Sequence, residues 1–374
     1  MRIQDFLRDY PEFAIAEPGD QSRIQAFFDA APMLTSGISI RYERRPDYFA
    51  FLKLQGDLSY VFLMRAADAS IAGLGTLSFR AGLLAGSPER VGYLGDLRIQ
   101  TRDRRLLRRW REFLAGLVTC GPRIEEFGGA RYFQTAMLAE NHRAENALAR
   151  GRDAFVYDPV ARYDMVTLLA ALPCLGRSPP PGYFCRELGR DETSEYLRLY
   201  GEEQLSRPLG RRLDADELRR RSETWPNWRD SKLHGLFHDR HGLLLAGFLW
   251  NPSPLKKIRV EGLAPLSSLA LRAIGMGAKG ELPVDYFSFV ATAKEFRDNS
   301  EHLVAIRPFF RHLWSNRRAA FLAFADFEGQ GWARRLGTFL RSSTPLRLYT
   351  VRSKETPRIV VDGPLFPEFE MSLV

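Results

Sequence analysis

The first half of the chain alternates between segments with strand periodicity and segments with helix periodicity. A short strand is predicted at residues 13–17. Apolar residues at helical spacing then predict a helix that buries Ile24, Phe27 and Phe28. A second amphipathic helix is predicted over residues 45–55, with a proline in its first turn. The chain therefore begins with one strand and two helices.

A meander of strands follows these helices. Three strands are predicted to begin at Ser59, Ile71 and Arg90, and the turn segments AADAS and AGSPE between them indicate antiparallel pairing. A helix is predicted over about residues 102–118. A strand, a helix and a closing strand complete this half, in the segments RYFQTAML, ENHRAENALAR and ARYDMVTLLA.

The second half repeats a similar order of elements. It contains a strand, two helices, a hairpin around residues 239–242 and three further strand segments, DYFSFVATA, AAFLAFADF and RLYTVRS. A proline-rich connector at residues 173–182 separates the halves. We therefore predict an α/β protein of the mixed α+β type, with domains at residues 1–172 and 183–374. Each domain is expected to be a mostly antiparallel twisted sheet flanked by helices.

Composition and charge narrow the class of protein. Hydrophobic residues make up 45% of the 374 residues and charged residues 26%, which is typical of globular domains with buried cores. The net charge of +9 favours an anionic partner: nucleic acid, an anionic membrane surface or a phosphorylated small molecule. There is no signal-peptide pattern and no apolar run of about 18 residues, so we expect a cytoplasmic protein without a membrane span.

Positive charge is concentrated where the fourth predicted strand meets the next helix. The stretch YLGDLRIQTRDRRLLRRW is followed by a further arginine, so six arginines occupy residues 102–111. The N-terminus of a helix presents unpaired N–H groups and partial positive charge, which suits a phosphate. The alternative interpretation is a solvated arginine face on a helix that buries Leu106, Leu107 and Trp110.

Three segments of the first half resemble the GNAT superfamily of N-acyltransferases. YLGDLRIQ resembles the fourth strand of the family, and TRDRR lies where the family has its pyrophosphate loop. FQTAMLAENHRAENALARGRDAFVY resembles the later strand and helix, with Asn141, Ala144 and Phe155 matching its pattern. The resemblance covers roughly residues 10–170, whereas the second half matches by element order and is expected to be degenerate.

The resemblance implies acetyl-coenzyme A as co-substrate and transfer of its acetyl group to an amine acceptor. Backbone groups of Leu97 and Ile99 would hold the pantetheine arm. The other coenzyme-binding candidates are Arg102, Arg104, Arg105, Leu106, Leu107 and Asn141. Tyr93 and Asp96 are the candidates for proton transfer, and strand alternation predicts that they face opposite sides of the sheet.

The sequence departs from the family at two places. The family loop has glycines where this chain has residues 102–107, and the helical position of a proton-donating tyrosine is occupied by Leu148. Coenzyme binding would then depend on backbone N–H groups and arginines, and protonation on another residue.

Two further interpretations concern metals and nucleic acid. His234, His238 and His241 are close in sequence, but no carboxylate motif completes a ligand set, so we predict surface histidines and no metal. A non-catalytic acyl-coenzyme A sensor or basic nucleic-acid-binding protein is the alternative function. Nucleic acid is the less favoured partner, because the arginines gather at one helix start and not along an exposed aromatic sheet. The acceptor and the oligomeric state stay open.

Overall fold

A computed structural model describes residues 1–30, 33–35, 38–44, 47–148, 154–172, 178–361 and 365–373. The strands of the first half are β1 (Phe13–Ile15), β2 (Met33–Thr35), β3 (Ile38–Glu43), β4 (Leu58–Arg65), β5 (Ile71–Leu84), β6 (Ser87–Ile99), β7 (Tyr132–Leu138) and β8 (Phe155–Ala171). Those of the second half are β9 (Tyr183–Glu187), β10 (Lys232–His238), β11 (Gly242–Trp250), β12 (Lys257–Glu261), β13 (Glu281–Leu282), β14 (Val284–Thr292), β15 (Phe321–Phe327) and β16 (Phe339–Ser353).

Eleven α-helices are found within the described ranges. Those of the first half are α1 (Ile3–Leu7), α2 (Gln21–Asp29), α3 (Tyr48–Gln55), α4 (Arg104–Cys120) and α5 (His142–Leu148). Those of the second half are α6 (Thr193–Ser206), α7 (Ala215–Thr224), α8 (Pro265–Ala273), α9 (Lys294–Asp298), α10 (Ile306–Asn316) and α11 (Trp332–Arg335). None of the helices in the part of the chain that the structure describes has the length and apolar character needed to cross a bilayer.

One twelve-stranded sheet runs through both halves, in the order β1-β4-β5-β6-β7-β16-β8-β15-β14-β11-β10-β9. Neighbouring strands are antiparallel except for two parallel pairs, β6 with β7 and β14 with β15. The predicted fold class is therefore confirmed: a mostly antiparallel sheet flanked by helices in a mixed α/β chain. The division at residues 173–182 stays a prediction, and residues 173–177 of that connector lie outside the described residues.

The halves do not keep separate sheets, because they exchange their long last strands. β16 comes from the second half and lies between β7 and β8 of the first. β8 in turn pairs with β15 of the second half. An unpaired strand edge is a liability for a folded protein, and this exchange covers one edge of each half with a strand of the other.

Helix α4 forms where the sequence predicts it. The carboxylate of Asp103 caps the helix and accepts a hydrogen bond of 2.7 Å from the N–H of Arg105, so the helix begins at residue 104. Leu106, Trp110 and Phe113 face the core, and the arginines occupy the opposite side. The helix, which follows β6 and precedes β7 in the sequence, packs with this apolar side on one face of the sheet.

Each half contains a β-bulge in its fourth sheet strand. In β6 the register shifts opposite Gly75, and Asp96 has φ of 51°. In β14 the register shifts opposite Gly247, and Phe289 has φ of 52°. A Cβ on Gly75 would lie 3.0 Å from the Trp110 indole, so a larger residue there would crowd this ring. These matching irregularities support the duplicated architecture that the element order predicts.

A second, four-stranded sheet joins hairpins from the two halves in the order β13-β12-β3-β2. β3 of the first half pairs antiparallel with β12 of the second, with Lys257 opposite Glu43. Arg259 forms an ion pair of 2.9 Å with Glu43 across this junction. The small sheet thus brings the residues just after β3 beside those just before β12.

The C-terminal segment, residues 365–373, lies between the halves. Gln134 Nε2 donates to the carbonyl of Glu368 at 2.8 Å, and the N–H of Phe289 donates to Glu370 Oε2 at 2.7 Å. Gln55 Nε2 donates to the carbonyl of Leu373 at 2.6 Å. The segment therefore contacts β7, β14 and α3 together.

The exchange of strands predicts that the halves unfold together. Scanning calorimetry of the full chain should show one transition whose calorimetric and van't Hoff enthalpies agree. Fragments 1–172 and 183–374, expressed alone, should fail to fold, because each lacks a strand from the middle of its sheet. Two resolved transitions, or a folded isolated fragment, would contradict the prediction.

Candidate functional site

The sheet opens between β6 and β7. Their parallel pairing covers three residue pairs and ends at Tyr93 opposite Gln134. β6 continues to Ile99, whereas β7 continues along β16. The N–H of Gln100 donates to the carbonyl of Ala72 at 2.9 Å, so strand alternation turns the N–H groups of Leu97 and Ile99 away from β5 and toward the opening.

The second half has a similar opening, where two backbone donors of β14 are already bonded to side chains. The pairing of β14 with β15 ends at Tyr286 opposite Ala323. The N–H of Ala293 donates to Leu244 at 2.8 Å, so Ala293 is the counterpart of Gln100 and Thr292 that of Ile99. The N–H of Thr292 donates to Glu203 Oε2 at 2.8 Å. The N–H of Phe289 is bonded to Glu370, so side chains of the protein occupy this opening.

The predicted phosphate-binding residues surround the start of α4. Arg102, Arg104 and Arg105 are exposed there. The N–H of Leu107 is bonded within the helix, to the carbonyl of Asp103 at 3.0 Å, and is not available to an anion. The side chain of Leu106 is buried in the core beneath α4, so only its N–H could face a ligand.

Charged partners divide the arginines of α4 into two groups. Arg108 and Arg109 donate to Glu112, and these hydrogen bonds lower the pKa of its carboxyl. Arg109 also pairs with Glu12 at 3.1 Å. Arg105 lies 3.7 Å from the same Glu12, at the margin of an ion pair. The arginines of the first turn are therefore the ones placed for an external anion, although the Asp103 carboxylate at the cap opposes one.

Asn141 caps the helix after β7. Its Oδ1 accepts a hydrogen bond of 3.0 Å from the N–H of Ala144, and its side chain is exposed. Leu148, at the position of the family tyrosine, is 8% exposed and packs in the core beneath α4. This helix is tied to β16 by an ion pair between Glu145 and Arg347.

The bulge in β6 places Tyr93 and Asp96 on the same face of the sheet, so the prediction of opposite faces is wrong. Tyr93 stands opposite Ser78, whose hydroxyl donates to Gln55 on α3. Asp96 accepts from the Tyr48 hydroxyl, also on α3. The extra residue of the bulge shifts the alternation by one position, which turns Asp96 toward Tyr93's face.

Asp96 is held by a bidentate ion pair. Arg44 Nη1 lies 2.8 Å from its Oδ2 and Nη2 donates to Oδ1 at 3.0 Å, while the Tyr48 hydroxyl donates at 2.9 Å. Arg44 is only 3% exposed. Burial, followed by the charge of Asp96, raises the pKa of Tyr48 well above its ordinary value. Asp96 is therefore a fixed charge in a largely dry environment.

Sequence reasoning missed Lys256, which belongs to the same cluster. Its side chain is buried, with Nζ 5.6 Å from the ring centre of Phe51 and 5.3 Å from that of Tyr286. Burial, followed by the charge of Arg44, lowers its pKa to about 7. In the sequence it belongs to the segment PLKKIRV, which resembles an ordinary solvated surface, and only the pairing of β12 with β3 reveals its position.

Five of the six histidines form two groups. His234, predicted at the surface, is instead fully buried, and its Nδ1 lies 3.1 Å from His312 Nε2. Burial lowers the pKa of His234 to about 4. The rings of His238, His241 and His302 lie near one another at the end of the β10–β11 hairpin. Within the described ranges, no three His, Cys, Asp or Glu side chains are arranged to hold a metal ion.

No model of a known protein family matches the chain, and no curated protein matches its sequence. Solved structures do share its fold. A Saccharomyces cerevisiae N-myristoyltransferase with bound myristoyl-CoA has a TM-score of 0.55 at 11% identity, over 92% of this chain and 80% of that one. A second structure of that enzyme with bound myristoyl-CoA gives 0.55 at 10% identity, over 92% and 84%. A third, with inhibitors, gives 0.53 at 11% identity.

At this level of identity the likeness concerns the fold alone. The chain, with its large, mostly antiparallel sheet flanked by helices, shares the fold of these N-myristoyltransferases.

Proposed function

We propose that this protein is an N-acyltransferase that transfers the acetyl group of acetyl-coenzyme A to an amine. One observation carries the proposal: the two equivalent openings differ in what their strand donors bind. In the second half the N–H of Thr292 is bonded to Glu203, whereas the N–H of its counterpart Ile99 faces the opening of the first half. The first half is thus the half suited to an external ligand.

The coenzyme would lie along the free edge of β6. The outward N–H groups of Leu97 and Ile99 would bond the pantetheine arm and the thioester carbonyl. The pyrophosphate would lie at the start of α4, near the N–H groups of Arg104 and Leu106 and the side chains of Arg102, Arg104 and Arg105. The exposed Asn141 side chain, beyond the end of β7, would contact the coenzyme from the other side of the opening.

The proposed acetyl group follows from the resemblance of the sequence to the GNAT superfamily. The Tyr93 ring packs 6.2 Å from the ring of Phe369, which packs 5.4 Å from Tyr163. These three rings pack together beside the point where the pairing of β6 with β7 ends, on the face where the acceptor would approach. The N-myristoyltransferase structures hold myristoyl-CoA, so acyl-chain length is the first property to measure.

The reaction would be direct transfer between bound substrates. The acceptor amine attacks the thioester carbon, the C–N bond forms, and the C–S bond breaks with the electron pair leaving on sulfur. Tyr93 lies where β6 leaves β7 and is proposed to protonate the departing thiolate. Asp96 lies on the same face, and its negative charge is proposed to attract the acceptor amine.

We expect acetyl-coenzyme A to bind and stabilise the folded protein. At 100 times its Kd it should add about 2.7 kcal/mol to the free energy of unfolding, measured as a rise in Tm. Calorimetric titration with acetyl-CoA, free CoA and myristoyl-CoA gives the three affinities. If myristoyl-CoA binds more tightly than acetyl-CoA, the transferred acyl group would be a long chain and not acetyl. No binding of any form would contradict the proposal.

Replacing Arg102, Arg104 and Arg105 together by Ala should weaken acetyl-CoA binding by at least about tenfold, or about 1.4 kcal/mol, because the pyrophosphate loses charged donors. A triple variant of Arg198, Arg212 and Arg219 is the matched control, since these exposed arginines of the second half carry the same charge. Equal affinities in the two variants would assign the α4 arginines to a solvated face.

Tyr93→Phe tests a role in the reaction, and Asp96→Asn tests a role in both the reaction and the stability of the fold. Tyr93→Phe should lower kcat about 10²-fold with unchanged affinity for acetyl-CoA, because only a proton donor is removed. Asp96→Asn should lower the free energy of unfolding by about 3–5 kcal/mol, because buried Arg44 loses its charged partner. Full turnover in Tyr93→Phe would show that another residue protonates the thiolate, and unchanged stability in Asp96→Asn would contradict the buried ion pair.

The wild type also tests the alternative function. If acetyl-CoA binds tightly and the wild type acylates no amine, the protein is an acyl-coenzyme A sensor.

A further inference from the structure

The cluster around Asp96 contains a lysine that the second half contributes. We propose that the amine of Lys256 accepts the proton that the acceptor loses during acyl transfer. This inference rests on the proposed function and adds a proton acceptor that comes from the other half of the chain.

The pairing of β3 with β12 brings Lys256 into the site. Lys257 stands opposite Glu43 in the last pair, so Arg44, which follows β3, and Lys256, which precedes β12, flank that pair. Both side chains approach the ring of Phe51, so one basic residue comes from each half. Arg44 contacts Asp96 directly, which places the lysine in the same cluster as the residue that precedes Leu97.

Two aromatic rings shield the amine from most of the solvent. Phe51 on α3 and Tyr286 on β14 approach Nζ from different elements, and Lys256 is 5% exposed. A buried ammonium loses hydration, and this favours the neutral amine, the form that can accept a proton.

The charged and titratable groups around the amine come from every element packed on it. Arg44 follows β3, Asp96 lies on β6, Glu370 lies on the C-terminal segment, and the Tyr48 and Tyr286 side chains lie on α3 and β14. Arg44 opposes a charged lysine, whereas Asp96 and Glu370 favour one. Because Arg44 forms a bidentate pair with Asp96, the guanidinium offsets much of the attraction between this carboxylate and a charged lysine.

These effects leave Lys256 able to change its charge near neutral pH. Its pKa is lowered to about 7, chiefly by burial and then by Arg44. A guanidinium stays protonated in proteins, and the pKa of Tyr48 lies well above its ordinary value. Burial also raises the pKa of Glu370, but its two carboxylate oxygens already accept hydrogen bonds from Phe289 and Ser372. Lys256 is therefore the base that we assign to the task.

The proton balance of the step is complete. The protonated acceptor gives one proton to neutral Lys256, and its freed lone pair forms the C–N bond. The C–S bond then breaks with its electrons on sulfur, and the remaining excess proton on nitrogen passes to the thiolate through Tyr93. Lys256 returns its proton to solvent, so the products are the amide, the free thiol and one proton.

The test compares Lys256→Arg and Lys256→Met with Lys257→Met, a control in the adjacent exposed lysine. Arg keeps the cation but cannot act as a base at neutral pH. Both Lys256 variants should lower kcat at least about 10²-fold while calorimetry shows unchanged acetyl-CoA affinity. The wild-type kcat/KM should rise with pH around an inflection near 7, and this inflection should be absent from Lys256→Arg.

A second readout needs no substrate. The pKa of Lys256 falls from an ordinary 10.5 to about 7 on folding, so the unfolded chain binds more protons between these values. Its contribution to stability is full above about pH 10.5 and is lost as the pH falls toward 7. The stability of the wild type relative to Lys256→Met should therefore rise across this window.

The two readouts distinguish the possible failures. Full turnover with an unchanged pH profile in Lys256→Arg overturns this inference and leaves the proposed function intact. A flat stability difference between wild type and Lys256→Met overturns it as well. Absence of turnover in the wild type, with acetyl-CoA bound, overturns the proposed function and the role of Lys256 with it.

Discussion

The exchange of β8 and β16 is the constraint on which the remaining architecture depends. β16 and β8 pair along almost their whole length, and each also pairs with the other half, so neither half completes its sheet alone. The parallel openings lie on either side of this strand pair, at Tyr93 and at Tyr286. Because the C-terminal segment follows β16, the same exchange carries Glu368 toward β7 and Glu370 toward β14.

Both halves contain a β-bulge at the equivalent position, and they differ in the side chains that lie beside it. Asp96 and Phe289 occupy equivalent bulges with nearly the same φ. In the second half, Glu370 and Glu203 accept hydrogen bonds from the backbone of β14, which satisfies buried donors and acceptors together. The second opening is therefore partly filled by the protein's own side chains. The first, along Leu97 and Ile99, is the one that we propose for the coenzyme.

Local features could be predicted from the sequence, because they depend on neighbours in the chain. The arginine-rich helix is specified by its apolar stripe and by Asp103 at its cap, and the strand meander by its turns. The exchange of β8 and β16 has no local signature, since it pairs Phe339 with Ala171 from the other half. The bulge at Asp96 could not be predicted from the pattern of residues. Strict alternation fails there, because two residues of β6 lie opposite Gly75. Lys256 and His234 have the sequence context of surface residues, and only long-range pairing buries them.

The charges buried around Asp96 are difficult to explain as a stabilising device. Two basic residues, Arg44 and Lys256, lie in a region that also contains Asp96 and Glu370, and apolar residues of similar size would avoid the cost of burying these four ionisable groups. Buried ion pairs add little net stability, yet removing one partner is costly, so such a cluster holds its members rigidly in place. Rigidly held, desolvated groups with shifted pKa values are typical of sites where protons move. Because the register of β3 against β12 brings the two basic residues together, the cluster exists only when both halves are folded, and the chemistry proposed for the first half depends on the second.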